Sequence, residues 1–328
     1  MARDPCAIQR AGVAGRYAVA PRTLIAWPIA LVLLAILSCA FPSPVAAYEI
    51  AVLKSSDIAA YNQTVAGLRA EFKEAATLTV YDLVGDVAHG KKLAMKIRAS
   101  DAALVIAVGL KAALAAKMDV VDIPVIYCMV LDAEKYDLRA SNVTGISLRV
   151  PIERQFSMIQ TLVPKLKRLG VLYDPEKTRP LIEEARHVAA RLGLVLVDHQ
   201  VHGEKDLPAA IRAVLSNVDG LWLVPDSTVL TVESIRFLLG TALEANVPVI
   251  GFSPEFVRNG ALAGLSIHPQ DIGRQAAIMA QKILARSDRA VSATVPPERI
   301  RLSVNLKTAK YLGLTLPPDI VGRADELY

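Results

Sequence analysis

Cysteine and aromatic residues are scarce in this chain of 328 residues, and their scarcity excludes several kinds of protein. There are three cysteines, and only Cys128 lies beyond the first 47 residues, so the body of the chain cannot form an internal disulfide. Cys128 sits in an apolar run without an activating basic neighbour, which is typical of a core residue rather than a nucleophile. No CxxC or HExxH spacing occurs, so no metal site is expected.

The motifs of common secreted enzymes are also missing. Residues 251–255, GFSPE, begin like the GxSxG turn of a serine hydrolase, but glutamate replaces the final glycine. The turn after the first strand, Lys54-Ser55-Ser56-Asp57, lacks the glycines of a dinucleotide site. We therefore predict that the protein is not an enzyme and has no cofactor, and a secreted α/β enzyme is the weaker alternative.

A strong charge of either sign is absent from the body of the chain. The formal net charge is +5, but four arginines and one aspartate lie in the first 47 residues, which leaves +2 for the remainder. That charge is small and interspersed, so nucleic-acid binding is not predicted.

The first 47 residues have the pattern of an export signal. Arg16 and Arg22 precede an apolar run over residues 24–37, and small residues lead to a predicted cleavage after Ala47. Two alternatives stay open: residues 36–39 resemble a lipobox that would anchor the chain through a lipid on Cys39, or the run could be retained as a membrane anchor. Each places the body outside the cytoplasmic membrane, in the periplasm or its equivalent.

From residue 48 the chain alternates short apolar runs with amphipathic segments, which is typical of parallel sheets covered by helices. Near residues 148–152 the alternation restarts. We predict an α/β fold of two Rossmann-like lobes with parallel sheets, joined by a hinge, with a ligand cleft between them. The strands are predicted at residues 50–53, 78–83, 103–108, 124–127 and 142–148, and then at 169–173, 194–197, 221–224, 248–252, 261–267 and 302–304.

A polar turn follows one of these buried runs. Pro225, Asp226, Ser227 and Thr228 lie between the run at 220–224 and a helix predicted over 229–244. Ligands bind at the carboxyl ends of parallel strands, where Asp226 could accept a hydrogen bond from an amine or hydroxyl. The same residue types cap helices, so both interpretations stay open.

Several stretches together resemble one family, the ABC transporter substrate-binding proteins with the type I periplasmic-binding fold, whose members include tryptophan- and tyrosine-binding proteins. The resemblance covers residues 50–317 and is specific in the order and spacing of its parts. Those parts are IAVLKSSD (50–57), the stretch from VTGISL to DPEKT (143–178), DGLWLVPDSTVL (219–230), the stretch from NVPVIGFSPEF to QKIL (246–284) and NLKTAKYLGLTLP (305–317).

The resemblance implies lobe 1 over residues 48–149 plus about 269–287, and lobe 2 over 150–268 plus about 288–328. It implies capture of a small solute, an amino acid or aromatic compound being favoured, and delivery to a membrane permease. The alternative is a ligand-sensing or docking module for a membrane sensor kinase. The implied ligand-binding residues are Ser55, Ser56, Asp57, Gly109, Lys111, Leu131, Asp132, Tyr173, Asp226, Ser227, Thr228, Phe252 and Ser253.

Two positions depart from the family pattern. Leu110-Lys111-Ala112-Ala113 stands where the family has a hydroxyl residue at a helix start, and Leu131-Asp132-Ala133 replaces a Thr-Asp-Pro turn. Lys111 would then supply a charge to the ligand or point into solvent. A simpler interpretation of Ser55, Ser56 and Asp57 is that they cap the helix that follows them.

Overall fold

The computed structural model describes residues 48–286 and 293–328, which form two parallel-dominated sheets. The signal peptide predicted at residues 1–47, its cleavage after Ala47 and the alternative lipid anchor at Cys39 lie outside the described residues. Within the described ranges, none of the helices is long and apolar enough to cross a membrane.

The first sheet has six parallel strands in the order β11-β5-β4-β3-β1-β2. Its central strand β3 is a continuous apolar run that is buried throughout, because helices cover both faces of the sheet. The elements are β1 (Tyr48–Lys54), α1 (Ala59–Phe72), β2 (Ala76–Asp82), α2 (Val87–Arg98), β3 (Leu104–Val108), α3 (Leu110–Asp119), β4 (Val125–Val130), a 3-10 turn (Ala133–Tyr136) and β5 (Val143–Ser147).

The second sheet has seven strands in the order β13-β12-β10-β9-β8-β6-β7. The strands are parallel except at the β10–β12 pairing. The elements are α4 (Ile152–Leu162), β6 (Arg168–Tyr173), α5 (Pro175–Arg191), β7 (Val195–Gln200), a 3-10 turn (Glu204–Asp206), α6 (Leu207–Leu215), β8 (Gly220–Trp222), α7 (Val232–Glu244), β9 (Val249–Gly251), α8 (Pro254–Arg258), β10 (Ala263–Ser266), α9 (Pro269–Arg286), β11 (Thr294–Val295), β12 (Arg301–Val304), α10 (Leu306–Tyr311), α11 (Pro318–Arg323) and β13 (Glu326–Leu327).

The chain passes between the two sheets three times. It leaves the first sheet after β5, returns through α9, which packs on α1, and leaves again after β11. β11 pairs with β5, so residues 294 and 295 belong to the first sheet, whereas the sequence placed the segment from about 288 in lobe 2. A two-residue strand carries too little apolar pattern to be found from sequence, and the other predicted lobe limits stay predictions.

Each of the two units is a mostly parallel sheet covered by helices, which confirms the predicted α/β fold class. Because almost all strands are parallel, the loops that follow them gather at one edge of each sheet. Cys128 is fully buried in the first unit, and burial raises the pKa of its thiol to about 12, as suits a core residue.

Candidate functional site

Two loops of the second sheet meet because β6 and β8 are neighbours, although 46 residues separate Tyr173 from Gly220 in the chain. The loop after β8 carries Asp226, whose side chain is buried with 1% of its surface exposed. Its Oδ2 accepts hydrogen bonds from the backbone N–H of Asp174 (2.8 Å) and the Thr178 hydroxyl (2.7 Å). Its Oδ1 accepts from the Thr228 N–H (2.9 Å). Asp226 thus joins the two loops within the second unit.

Asp174 completes this arrangement from the other side. It caps α5 by accepting from the Glu176 N–H (2.9 Å), and its Oδ2 accepts from the Thr228 hydroxyl (2.6 Å). The hydrogen bonds from Thr228 and from the Glu176 N–H lower the pKa of Asp174, because they favour its charged form. Thr228 therefore links the two carboxylates, because its hydroxyl donates to Asp174 and its backbone N–H donates to Asp226, and both carboxylates help to hold the loops together.

This lowered pKa makes part of the stability depend on pH. An unfolded aspartate has a pKa of about 3.9, so the contribution of ionised Asp174 is complete above that value and is lost as pH falls through the lower folded pKa. From about pH 6 to about pH 3 we expect the urea midpoint to fall less in Asp174→Asn than in the unaltered protein. Asp101→Asn, at an exposed side chain without hydrogen bonds among the described residues, is the control. An equal fall in all three proteins would contradict the assignment.

The helix after this turn begins later than predicted. α7 starts at Val232 rather than residue 229, and Thr231 caps it in a reciprocal pair of hydrogen bonds with Ser234. The interpretation of the 226–228 turn as the cap of this helix is therefore wrong. Ser227 lies on the surface, where its Oγ accepts from the Nζ of Lys177 at 2.8 Å.

At the edge of the first sheet, Ser55 supplies the hydroxyl that the start of α3 lacks in its own sequence. Its buried Oγ accepts from the Ala112 N–H at 2.9 Å. Gly109 precedes this helix with φ of +90°, and a Cβ there would lie 2.6 Å from the Ser55 Oγ. Lys111 is exposed, and its Nζ donates to the Gly85 carbonyl at 2.5 Å.

Asp57 is not the cap of α1, which begins after Ile58 without a side-chain cap. It accepts instead from the Nζ of Lys54 (2.8 Å), a mostly buried cation that also pairs with Asp82 (3.0 Å). Burial by itself lowers the pKa of Lys54, but the hydrogen bonds to Asp57 and Asp82 outweigh it and the pKa is raised. This ion cluster at the end of β1 was not anticipated from the sequence.

A cleft of about 480 Å³ lies between the two units, a volume suited to a small-molecule ligand. Most of its lining is apolar. Phe252 contributes aromatic surface, and Trp222 lies in the wall with 2% of its surface exposed. The Trp222 Nε1 donates to the Gln155 Oε1 (2.8 Å), and the Gln155 Nε2 donates to the Val150 carbonyl (2.8 Å), so the hinge segment orients the indole. Trp222 also packs edge-on against Phe156, with ring centroids 5.0 Å apart.

Three of the predicted ligand-binding residues line this cleft, namely Leu131, Asp132 and Phe252. The others lie outside its lining for separate reasons. Tyr173 is buried in the core of the second unit, and Ser253 caps α8. Ser56 is half-buried beside the cluster at the end of β1. The remaining ones are Ser55, Asp57, Gly109, Lys111, Asp226, Ser227 and Thr228, whose contacts are described above.

Charged groups gather at the rim of the cleft. The Asp132 carboxylate pairs with the Lys135 Nζ (3.0 Å) and an Arg149 Nη (3.1 Å). Burial raises the pKa of Asp132, but the hydrogen bonds from Lys135 and Arg149 outweigh it, and the pKa is lowered. Arg149 also approaches Glu184 on α5 at 3.6 Å, so this hinge residue contacts both units.

The sequence did not single out Gln155, Trp222 or Lys177, all of which line the cleft. Trp222 ends a buried strand and Gln155 is on a helix face, positions that periodicity assigns to packing. Lys177 carried a usable signal, because it is a cation in the first turn of α5, where the helix dipole disfavours positive charge. Lys111 carries the same signal in the first turn of α3. Among the described residues, no three His, Cys, Asp or Glu side chains are grouped so that they could hold a metal ion.

Comparison with known proteins gives the family and the fold. A model of the family described as "ABC transporter substrate binding protein" matches residues 49–328. A tyrosine-binding protein from Clostridioides difficile (strain R20291) is 25% identical over 237 residues, which is 70% of this chain and 68% of the relative.

Two solved structures share the fold. The ligand-free, open structure of a substrate-binding protein with adhesive properties from Clostridium difficile matches with a TM-score of 0.72 and 21% identity, over 85% of this chain and 98% of that one. A domain from Streptococcus pneumonia in complex with L-Trp matches with a TM-score of 0.55 and 21% identity, over 86% and 100%. The fold is that of the type I periplasmic binding proteins, as predicted.

Proposed function

Because this chain belongs to the ABC transporter substrate-binding protein family, whose members bind solutes and are not enzymes, we propose that it captures a small solute in the cleft between its two units. An amino acid or an aromatic compound is the favoured solute. The bound form would dock on the permease of an ABC-type uptake system, outside the cytoplasmic membrane.

The observation that carries this proposal is the cleft. Its volume of about 480 Å³ matches a compact organic molecule, and its walls come from both units and from the hinge. Phe252 offers an aromatic face on which an apolar or aromatic body can pack, and the buried Trp222 forms part of the wall. The tyrosine-binding relative and the L-Trp complex of the structural neighbour support an aromatic amino acid as the first class to test.

Export would follow from the N-terminal segment. Arg16 and Arg22, the apolar run at 24–37 and the small residues before Tyr48 support a secretory signal. Cleavage after Ala47 and lipid attachment at Cys39 predict different masses for the exported protein, so intact-protein mass spectrometry distinguishes them. A protein that stays in the cytoplasm would contradict the proposed location.

Trp222 offers a direct measurement of solute capture. The chain has two tryptophans, so in a Trp27→Phe background Trp222 is the only one, and it lines the cleft. We expect a bound solute to change its fluorescence in a saturable way. A solute at 100 times its dissociation constant should also stabilise the fold by about 2.7 kcal/mol. The measurement is a fluorescence and thermal-unfolding screen against amino acids, aromatic acids, sugars and peptides.

Two substitutions, one inside and one outside the cleft, serve as controls for this screen. A compound that changes Trp222 fluorescence should lose that effect when Leu131, a cleft residue with 67% of its surface exposed, is replaced by aspartate. Lys282→Gln, on the exposed face of α9, should not alter it. A folded protein that responds to no compound in the library would contradict solute capture and leave the sensor-kinase docking module as the hypothesis to pursue.

A further inference from the structure

The lining of the cleft carries more positive than negative charge. Lys135, Arg149 and Lys177 contribute three cations, and Asp132 is the carboxylate among the described residues that line it. Charges in a partly enclosed, largely apolar cleft interact more strongly than they would in water. The cleft therefore favours a negatively charged solute over a positively charged one.

The three cations are not equivalent. Lys135 and Arg149 are already paired with Asp132, at 3.0 Å and 3.1 Å, and Arg149 also faces Glu184. The Nζ of Lys177 donates to the Ser227 hydroxyl at 2.8 Å and forms no ion pair among the described residues, although its charge helps to lower the pKa of Asp174. Lys177 is therefore the cation that can pair with a bound anion without breaking an ion pair of the protein.

Neither Asp132 nor Asp226 offers a comparable partner to an ammonium group. Both oxygens of Asp132 accept bonds from Lys135 and Arg149. Asp226, which the sequence suggested for an amine, is buried with both oxygens bound inside the second unit, and it does not line the cleft. An ammonium would have to displace one of these internal donors or stay unpaired, and either costs binding energy.

From these contacts we infer that the solute is an amphipathic organic acid whose carboxylate is bound by Lys177 and whose apolar or aromatic body packs against Phe252 and the apolar wall that includes the buried Trp222, with no need for an ammonium group. This inference rests on the proposed function and narrows its substrate class. Lys177 is the specificity-determining residue, since a lysine–carboxylate pair is a charge-assisted hydrogen bond.

Three compounds that share a phenol ring differ in the charged groups that they carry, so they show which charge is recognised. L-Tyrosine carries a carboxylate and an ammonium, 3-(4-hydroxyphenyl)propionate carries only the carboxylate, and tyramine carries only the ammonium. We expect the propionate to bind at least as tightly as tyrosine, and tyramine to bind at least about tenfold more weakly than either. The measurement is titration of the full chain in the Trp27→Phe background, followed by Trp222 fluorescence and calorimetry.

Substitutions at Lys177 test the residue itself. Lys177→Gln should weaken binding of the propionate about tenfold, since it removes the charge from that bond. Lys177→Arg should retain most of the affinity because the charge remains. Lys205→Gln, on an exposed surface outside the cleft lining, should leave the affinity unchanged.

The outcomes separate this inference from the proposed function. Tyrosine binding tenfold tighter than the propionate, or tyramine binding as well as either, would show that an ammonium is recognised and would overturn the inference while solute capture stands. Binding of a library compound that carries no carboxylate, without binding of any of the three, would do the same. Absence of any response across the whole library would remove both.

Discussion

Gly273→Ala is expected to lower the free energy of unfolding by about 2–3 kcal/mol, because there is no room for a methyl group where α9 crosses α1. A Cβ at this position would lie 2.0 Å from the Thr64 carbonyl oxygen and 3.1 Å from the Leu68 nitrogen. These are backbone atoms, so relief requires the two helices to separate. Gly67 on α1 meets the same constraint, with a Cβ 2.1 Å from the Gln270 carbonyl oxygen.

Gly240→Ala is the matched control for this prediction. Gly240 lies on the exposed face of α7, and a Cβ there would meet nothing within 4 Å. Alanine should therefore stabilise the protein by about 0.5–1 kcal/mol through its helix propensity. Urea unfolding at equilibrium measures both variants. If Gly273→Ala is as stable as the parent, the close crossing of α1 and α9 is wrong.

Asp226→Ala is expected to cost about 3 kcal/mol of unfolding free energy, since it leaves several buried donors without an acceptor. The donors are the backbone N–H groups of Asp174 and Thr228 and the Thr178 hydroxyl, all within 2.9 Å of the carboxylate. Asp226→Asn should cost less, because its amide oxygen can still accept part of these bonds. The measurement is urea unfolding of the three proteins side by side.

Ser227→Ala supplies the control in the adjacent position. Its side chain is exposed and makes one hydrogen bond, to Lys177, so its removal should change stability by less than about 0.5 kcal/mol. Equal stability of Asp226→Ala and Ser227→Ala would contradict the role of Asp226 in joining the loops. A loss of solute binding in Asp226→Ala is consequently not a test of ligand contact, because the same substitution loosens two loops beside the cleft.

Much of the fold follows from local pattern. Alternating apolar runs and amphipathic segments predicted nearly every longer strand and helix, because a strand buried on both faces needs a continuous apolar run and a covering helix needs an apolar stripe. The strands and α-helices that the sequence does not predict, β11, β13 and α11, are two to six residues long, and such short pieces depend on contacts with distant parts of the chain.

The candidate site was predictable only in part. Leu131, Asp132 and Phe252 follow strand ends, and the position of such residues at one sheet edge can be inferred from the sequence. The role of Asp226 could not, because it depends on β6 lying next to β8, which brings Thr178 and Asp174 to its carboxylate. Polar turn residues can cap, bind or bridge, and their neighbours in space decide which.

By itself, the sequence determined an α/β chain of two similar units, without metal or catalytic motifs, that resembles the substrate-binding family. Only the tertiary structure decided which polar and aromatic side chains form the walls of the cleft, among them those of Trp222, Gln155 and Lys177. The physical reason is that apolar periodicity encodes which face of an element is buried. The direction of a polar side chain depends instead on partners that sheet order and the hinge bring together from distant parts of the chain.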